Sequence, residues 1–221
     1  MLKASAGRLE RSDSMAERIG FVFQNANLIP WRTAEQNLLL PGELGPKPAG
    51  VPQVPIEDLV RLVGLEVEDL PKRPAELSGG MQMRLALARA LSQSPALLMM
   101  DEPFGAVDDV LRMQLEERVR RIHDARSLTT VLVTHNIGEA VFMSDRVLVL
   151  GGRPARICHD VAIDLGSQRN QTTRTSTAYY DYVSAVTAAF QSAADQSVSG
   201  DVPPNAEVEP QSARSPQQHE L

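Results

Sequence analysis

Leu77-Ser78-Gly79-Gly80-Met81-Gln82-Met83-Arg84 is followed, seventeen residues after it closes, by Asp101-Glu102 at the end of the apolar run Ala96-Leu97-Leu98-Met99-Met100. Ser-Gly-Gly at the start of a helix leaves backbone N–H groups free and close together at the positive end of the helix dipole, which suits a phosphate. A buried strand ending in Asp-Glu presents two carboxylates at its tip, one suited to Mg²⁺ and one to polarising a water. In this order, with Gln24 before and His135 after, the two pieces point to a nucleoside triphosphate.

Outward from that pair, the chain alternates strand and helix. Ile19–Phe23 is β-rich and ends at Gln24. A short helix is predicted near Thr33–Leu40, and the five prolines from Pro41 to Pro55 predict an irregular surface connection. Ile56, Leu59, Val60 and Val63 recur at helical spacing, with Gly64 as a stop. Ser78 is placed to N-cap a helix running to about Ser92. Ala96–Met100 and Thr129–Thr134 read as strands buried on both faces, the second ending at His135, with an amphipathic charged helix over Leu111–Arg126 between them. Helix near Ile137–Phe142, strand at Val147–Leu150, outer strand over Ala155–Ile163 and a last helix over Ala178–Gln191 complete the pattern. Such alternation implies an α/β fold with a parallel sheet, whose ligands sit at the carboxyl ends of the strands. Gln24, Asp101-Glu102 and His135 all fall at such ends.

Composition narrows the function. A net charge of −6 and a sequence pI near 5.3 argue against a nucleic-acid partner. The single cysteine, Cys158, allows no internal disulfide and reads as a small apolar strand residue. No apolar run approaches the ~18 residues that span a bilayer. Trp31 reads as a packing residue, Met81, Met83, Met99 and Met100 as filler, and Glu116, Glu117, Arg118, Arg120 and Arg121 as a solvated helix face. His123, His159 and His219 have no ligand spacing. Beyond Asp195 the Ser, Gln, Pro and acidic residues predict a disordered tail.

A phosphate-cradling P-loop, G-x-x-x-x-G-K-[ST], does not occur in these 221 residues: Lys3, Lys47 and Lys72 neither follow a glycine nor precede Ser or Thr. Only 23 residues precede Gln24. A strand of ~6 residues and a helix of ~11 would fill most of them. The expectation is therefore a chain shortened at its N-terminus, inactive alone.

These motifs resemble those of ABC transporter ATP-binding subunits over roughly residues 17–190. The signature matches at Leu77–Gln82, the Walker B strand at Leu97–Glu102, the D-loop at Ala106–Asp108, the switch histidine at Val133–His135 and the Q-loop at Val22–Gln24. Pro30-Trp31, Gly138–Leu150 and Arg153–Ile157 resemble importer ATPases for nitrate, aliphatic sulfonates and taurine. Asn136 departs from the family's aspartate and Arg73 from its tyrosine.

The resemblance implies an incomplete ABC-type P-loop NTPase fold using ATP and Mg²⁺. Glu102 would be general base, His135 would sense the γ-phosphate, and Gln24 would contact Mg²⁺ or the attacking water. Asp101 would hold Mg²⁺ through water. Ser78, Gly79 and Gly80, with Gln82 in the same motif, would bind ATP held by a second ATP-binding subunit, and Asp108 would line that contact. Permease transmembrane subunits and, indirectly, a solute-binding protein would be the other partners, with this chain held at the cytoplasmic face of the membrane through the permease.

The implied organisation is a core remnant with the Q-loop over 1–27, a helical subdomain over 28–94 and a catalytic core over 95–165. A C-terminal helix over 166–195 and a tail over 196–221 follow. Three readings stand: a shortened importer ATPase, a non-hydrolysing partner that completes an ATP site in trans, and a soluble ATPase with no transporter.

Overall fold

The computed structural model describes residues 19–44, 54–105, 107–126 and 128–199. Three strands, β1 (Ile19–Val22), β2 (Leu97–Asp101) and β3 (Thr129–Val133), form a parallel sheet in that order. Ile19 pairs with Leu97, and Leu97 with Thr129. One face of this sheet is covered: Val22, Leu98 and Met100 are buried. Alternation sends Phe21, Val131 and Val133 to the other face, where they are 46%, 44% and 55% exposed. The expectation that β2 and β3 are buried on both faces is thus met on one face of β2 only; β3 has no buried residue, and Thr130 and Leu132 on its covered side are half-buried. The long apolar runs carry no period-2 signal that distinguishes the two faces.

The later strands depart from the parallel pattern. β4 (Arg146–Gly151) and β5 (Arg156–Ala162) make a separate antiparallel pair, with an irregularity between Val149 and Leu150. The strand at 147–150 is present, but only four residues link it to β5, too few for the crossover a parallel neighbour needs. A cavity of about 440 Å³ lies between the sheets, lined by Thr129–Leu132 of β3 and Asp145–Leu148 at β4.

Helices cover the buried face. α1 (Ala34–Leu44) begins with a reciprocal cap: the Gln36 N–H donates to Thr33 Oγ1 at 3.2 Å, and the Thr33 N–H to Gln36 Oε1 at 3.0 Å. It runs through Pro41, so the first of the five prolines belongs to the helix rather than to the irregular connection. Residues 45–53 lie outside the described residues. α2 (Ile56–Leu62) ends before Gly64, whose φ of +75° is the left-handed stop that glycine supplies without strain. α3 (Gly79–Leu91) packs against α1, α2 and β1. Leu85, Ala88 and Leu91 on α3 are fully buried.

α4 (Asp109–Arg126) leads from β2 to β3, and α5 (Ile137–Met143) follows β3. After the single-turn α6 (Gln171–Arg174), α7 (Thr177–Ser199) packs on α5, β4 and β5 through Tyr179, Val186 and Ala193, spaced seven apart. Phe190 on the same helix is exposed. α7 continues four residues into the segment expected to be a tail. Residues 200–221 lie outside the described residues. No helix among the described residues is long and apolar enough to cross a membrane.

Candidate functional site

The parallel register sets Met100 beside Val22 and Asp101 beside Val133. Gln24, Asp101-Glu102 and His135 therefore leave the sheet at its carboxyl edge. Two of them touch: His135 Nδ1 lies 2.7 Å from Glu102 Oε1. With its proton on Nδ1 the imidazole donates to the carboxylate and fixes its direction. The Glu102 side chain is 20% exposed and that of His135 81%, so the pair is open to solvent on the imidazole side. A carboxylate oriented in this way can accept a proton from a water.

The backbone of Glu102 is unusual. Its φ is +47°, in the left-handed region that costs a residue with a Cβ roughly 1–2 kcal/mol. Two hydrogen bonds hold it there: the Glu102 N–H donates to the Val133 carbonyl at 2.9 Å, and the Gly105 N–H to the Glu102 carbonyl at 3.2 Å. The neighbouring strand end thus fixes the turn that aims the carboxylate. Strain of this kind persists where surrounding structure over-determines it, commonly at functional sites.

Asp101 is exposed at the tip of β2. Mg²⁺ in phosphate-binding sites usually takes one or two carboxylates, with phosphate oxygens and waters completing the shell. Among the described residues no group of three or more His, Cys, Asp or Glu side chains could hold a metal alone. Asp101 fits the first arrangement, in which nucleotide phosphates supply the remaining ligands. Gln24 is exposed two residues past the end of β1.

Ser78 caps α3, its Oγ accepting from the Met81 N–H at 3.3 Å. The Gln82 N–H reaches the Ser78 carbonyl at 2.9 Å. The Gly79 and Gly80 N–H groups fall in the turn that helix geometry leaves without intrahelical acceptors, which suits an anion. Gly80 is buried, and a Cβ there would come within 2.5 Å of Leu111 Cδ2 on α4. The Gln82 amide turns inward, donating to the carbonyls of Pro74 at 2.9 Å and Leu77 at 3.2 Å. It braces the segment leading into the helix. Asp108 caps α4: its Oδ1 accepts from the Leu111 N–H at 3.0 Å.

Both departures from the family pattern keep a local role. Asn136 caps α5 by accepting from the Glu139 N–H at 3.0 Å, as the aspartate would. The Arg73 N–H donates to Glu76 Oε2 at 2.7 Å, a bond any residue type at that position can make.

Sequence reasoning missed the supports behind this edge. Glu116 and Arg120, assigned to a solvated face, are buried. Glu116 pairs with Arg174, whose guanidinium stacks 3.5 Å over the Phe142 ring. Arg120 meets Asp124 at 3.1 Å, Asp145 at 2.9 Å and the Met143 carbonyl at 3.1 Å. Buried Arg169 donates to the carbonyls of Val141, Phe142 and Ser144. Two guanidinium groups thus satisfy the carboxyl end of α5, where cations are favoured, and fix the helix that begins just after His135. Glu139 on that helix is also buried, with Oε1 unpartnered. Burial, followed by the charge of Glu116, pushes its pKa up to about 7. Apart from Asp124, these partners lie more than twenty residues away, and no local pattern announces them. Trp31, read as a packing residue, is 74% exposed.

The ABC transporter family profile matches residues 2–105. The chain is 39% identical over 177 residues to the aliphatic sulfonates import ATP-binding protein SsuB 2 of Pseudomonas syringae pv. tomato, covering 77% of this chain and 73% of that one. It is 44% identical over 135 residues to the bicarbonate transport ATP-binding protein CmpC of a Synechocystis species, covering 60% of this chain and 20% of that one. SsuB proteins of Pseudomonas savastanoi and Xanthomonas axonopodis are matched over 65% and 61% of their lengths. Among solved structures, a dimeric ATP-binding cassette in a post-hydrolysis state bound to ADP and Pi superposes with a TM-score of 0.55 at 27% identity. That match covers 67% of this chain and 64% of that one.

Proposed function

This chain belongs to the ABC transporter family, and from that premise we propose that it is the ATP-binding subunit of an importer for small anionic solutes. The observation that carries the reading is the Glu102–His135 contact at the carboxyl edge of the sheet, in a chain that also presents Ser78-Gly79-Gly80 at a helix start. Sulfonate and bicarbonate in the relatives' names support an anionic solute of the sulfonate, nitrate or taurine type. In this reading Glu102 takes the proton of the attacking water while His135 holds its carboxylate. Asp101 holds Mg²⁺, which supplies charge neutralisation on the phosphates when bound, and Gln24 faces the same edge. Ser78, Gly79 and Gly80 bind the γ-phosphate of ATP held by a second subunit, and Gln82 keeps that helix start in place. Asp108 lies at the contact between the two subunits. The chain sits at the cytoplasmic face of the membrane on permease subunits and meets a solute-binding protein only through them.

A second reading, that the chain completes an ATP site in trans without hydrolysing ATP itself, is supported by Ser78-Gly79-Gly80 at a helix start, where free N–H groups suit an anion. One experiment separates the two. A polypeptide of these residues alone should release no phosphate from ATP above background; robust turnover would overturn the importance given to the P-loop. Mixed with an N-terminal segment bearing a P-loop, it should hydrolyse ATP, and Glu102→Gln should lower the rate ~10²–10⁴-fold. Activity indifferent to Glu102→Gln but lost on Ser78→Arg would favour the trans reading instead.

A further inference from the structure

The loop between Gln24 and α1 has no regular structure, yet two side chains hold it at both ends. At its start, Arg89 in the last turn of α3 donates Nη2 to the Ala26 carbonyl at 2.8 Å and Nη1 to the Asn27 carbonyl at 2.9 Å. Asn27 sits in the left-handed region, with φ +46°, which turns its carbonyl alongside that of Ala26. At the loop's other end Asn37 is fully buried. Its Oδ1 accepts from the Ile29 N–H at 2.7 Å, and its Nδ2 donates to the carbonyls of Ile29, Arg32 and Thr33 at 3.1, 3.3 and 3.0 Å. Between these clamps Leu28 packs on the core, and Trp31 stands out into solvent.

Asn37 explains the turn at residues 29–33 as ordinary local folding. Arg89 requires another reason. It lies 62 and 63 residues from its acceptors, no carboxylate accompanies it in these contacts, and burial depresses its pKa. Methionine or leucine would cover the same helix end without the desolvation cost. A guanidinium offers what they cannot, a planar fork that binds two carbonyls in one fixed geometry. We propose that Arg89 is a positioning residue that ties the loop after Gln24 to the carboxyl end of the helix that begins at Ser78. Gln24, the loop and exposed Trp31 are then held in fixed relation to Ser78-Gly79-Gly80. This deepens the function proposed above only in the roles given to Gln24 and Ser78; the tie itself is independent of nucleotide.

Trp31 is the only tryptophan of the chain, so it reports on the loop without labelling. Arg89→Met and Arg89→Lys are compared with the parent by tryptophan anisotropy and by amide hydrogen exchange, with no nucleotide present. The expected result is a lower Trp31 anisotropy and at least tenfold faster exchange over residues 26–33, with exchange in β2 unchanged. Arg89→Lys, which keeps the charge but not the fork, should fold and show the same loosening. A fall in melting temperature with unaltered anisotropy and loop exchange would overturn the proposal, leaving Arg89 a purely stabilising residue. So would full rescue by lysine. Because no readout depends on ATP, these outcomes stay separate from failure of the complemented hydrolysis above.

Discussion

The covered face of the three-stranded sheet and its carboxyl edge obey opposite rules. On the face, Val22, Leu98 and Met100 are apolar, buried and packed under α3 and its neighbours. At the edge, Glu102 just past β2 holds a left-handed backbone, His135 just past β3 lies open to solvent, and Glu139 on α5 is buried with an oxygen unpartnered. The face holds the fold together, whereas the edge carries conformations that cost stability, and such costs recur where chemistry is performed.

The contrast breaks first if a covered residue can be truncated cheaply. Leu98 is 1% exposed, and Leu98→Ala should cost about 2–5 kcal/mol. Val131, one position further along the register on the next strand, is 44% exposed, and Val131→Ala should cost under about 1 kcal/mol. Urea unfolding of both variants measures the difference. Equal costs would mean that the two faces are buried alike.

A titration sharpens the comparison next. Glu139 is raised to about 7 by burial and then by Glu116, with Glu102 adding to the push, against about 4.3 for an unfolded glutamate. The native state therefore holds this proton more tightly than the unfolded chain. Its contribution to stability is complete below the unfolded value, falls as pH rises to about 7, and is flat above. Glu139→Gln mimics the protonated form and should gain ~1–3 kcal/mol over the parent at pH 8, converging with it near pH 4. Thermal melts across that range decide the matter. A variant less stable than the parent at pH 8 would mean that the ionised carboxylate is the form the fold favours.

How much of this could be read in advance divides along the same line. The Ser78 cap, the Gly64 stop and the strand ends at Asp101 and Val133 are local signals, written within a few residues of where they act. The burial of Glu116, Arg120 and Arg169 is not local. Arg174 lies 58 residues from Glu116, and the α5 and Ser144 carbonyls bound by Arg169 lie 25 to 28 residues before it. A charged run at helical spacing looks solvated until the tertiary fold supplies its partners. The antiparallel pairing of β4 with β5 hides for a similar reason. Periodicity gives a strand but not its neighbour, and here the short link sets the direction.

The smallest effect tests the edge most directly. Glu102→Ala and Glu102→Gly remove the same carboxylate and the same contact with His135. They differ in the backbone cost at φ +47°: alanine keeps the clash of a Cβ with the adjoining carbonyl oxygen, and glycine has none. At an ordinary strand position such as Leu98, glycine is the poorer residue by roughly 0.5–1 kcal/mol relative to alanine. At position 102 the order should invert, with Glu102→Gly more stable than Glu102→Ala by about 1 kcal/mol in urea unfolding. Alanine equal to or better than glycine there would mean that the turn relaxes out of the left-handed region. The strain would then belong to the Glu102–His135 contact rather than to the neighbouring strand end at Val133.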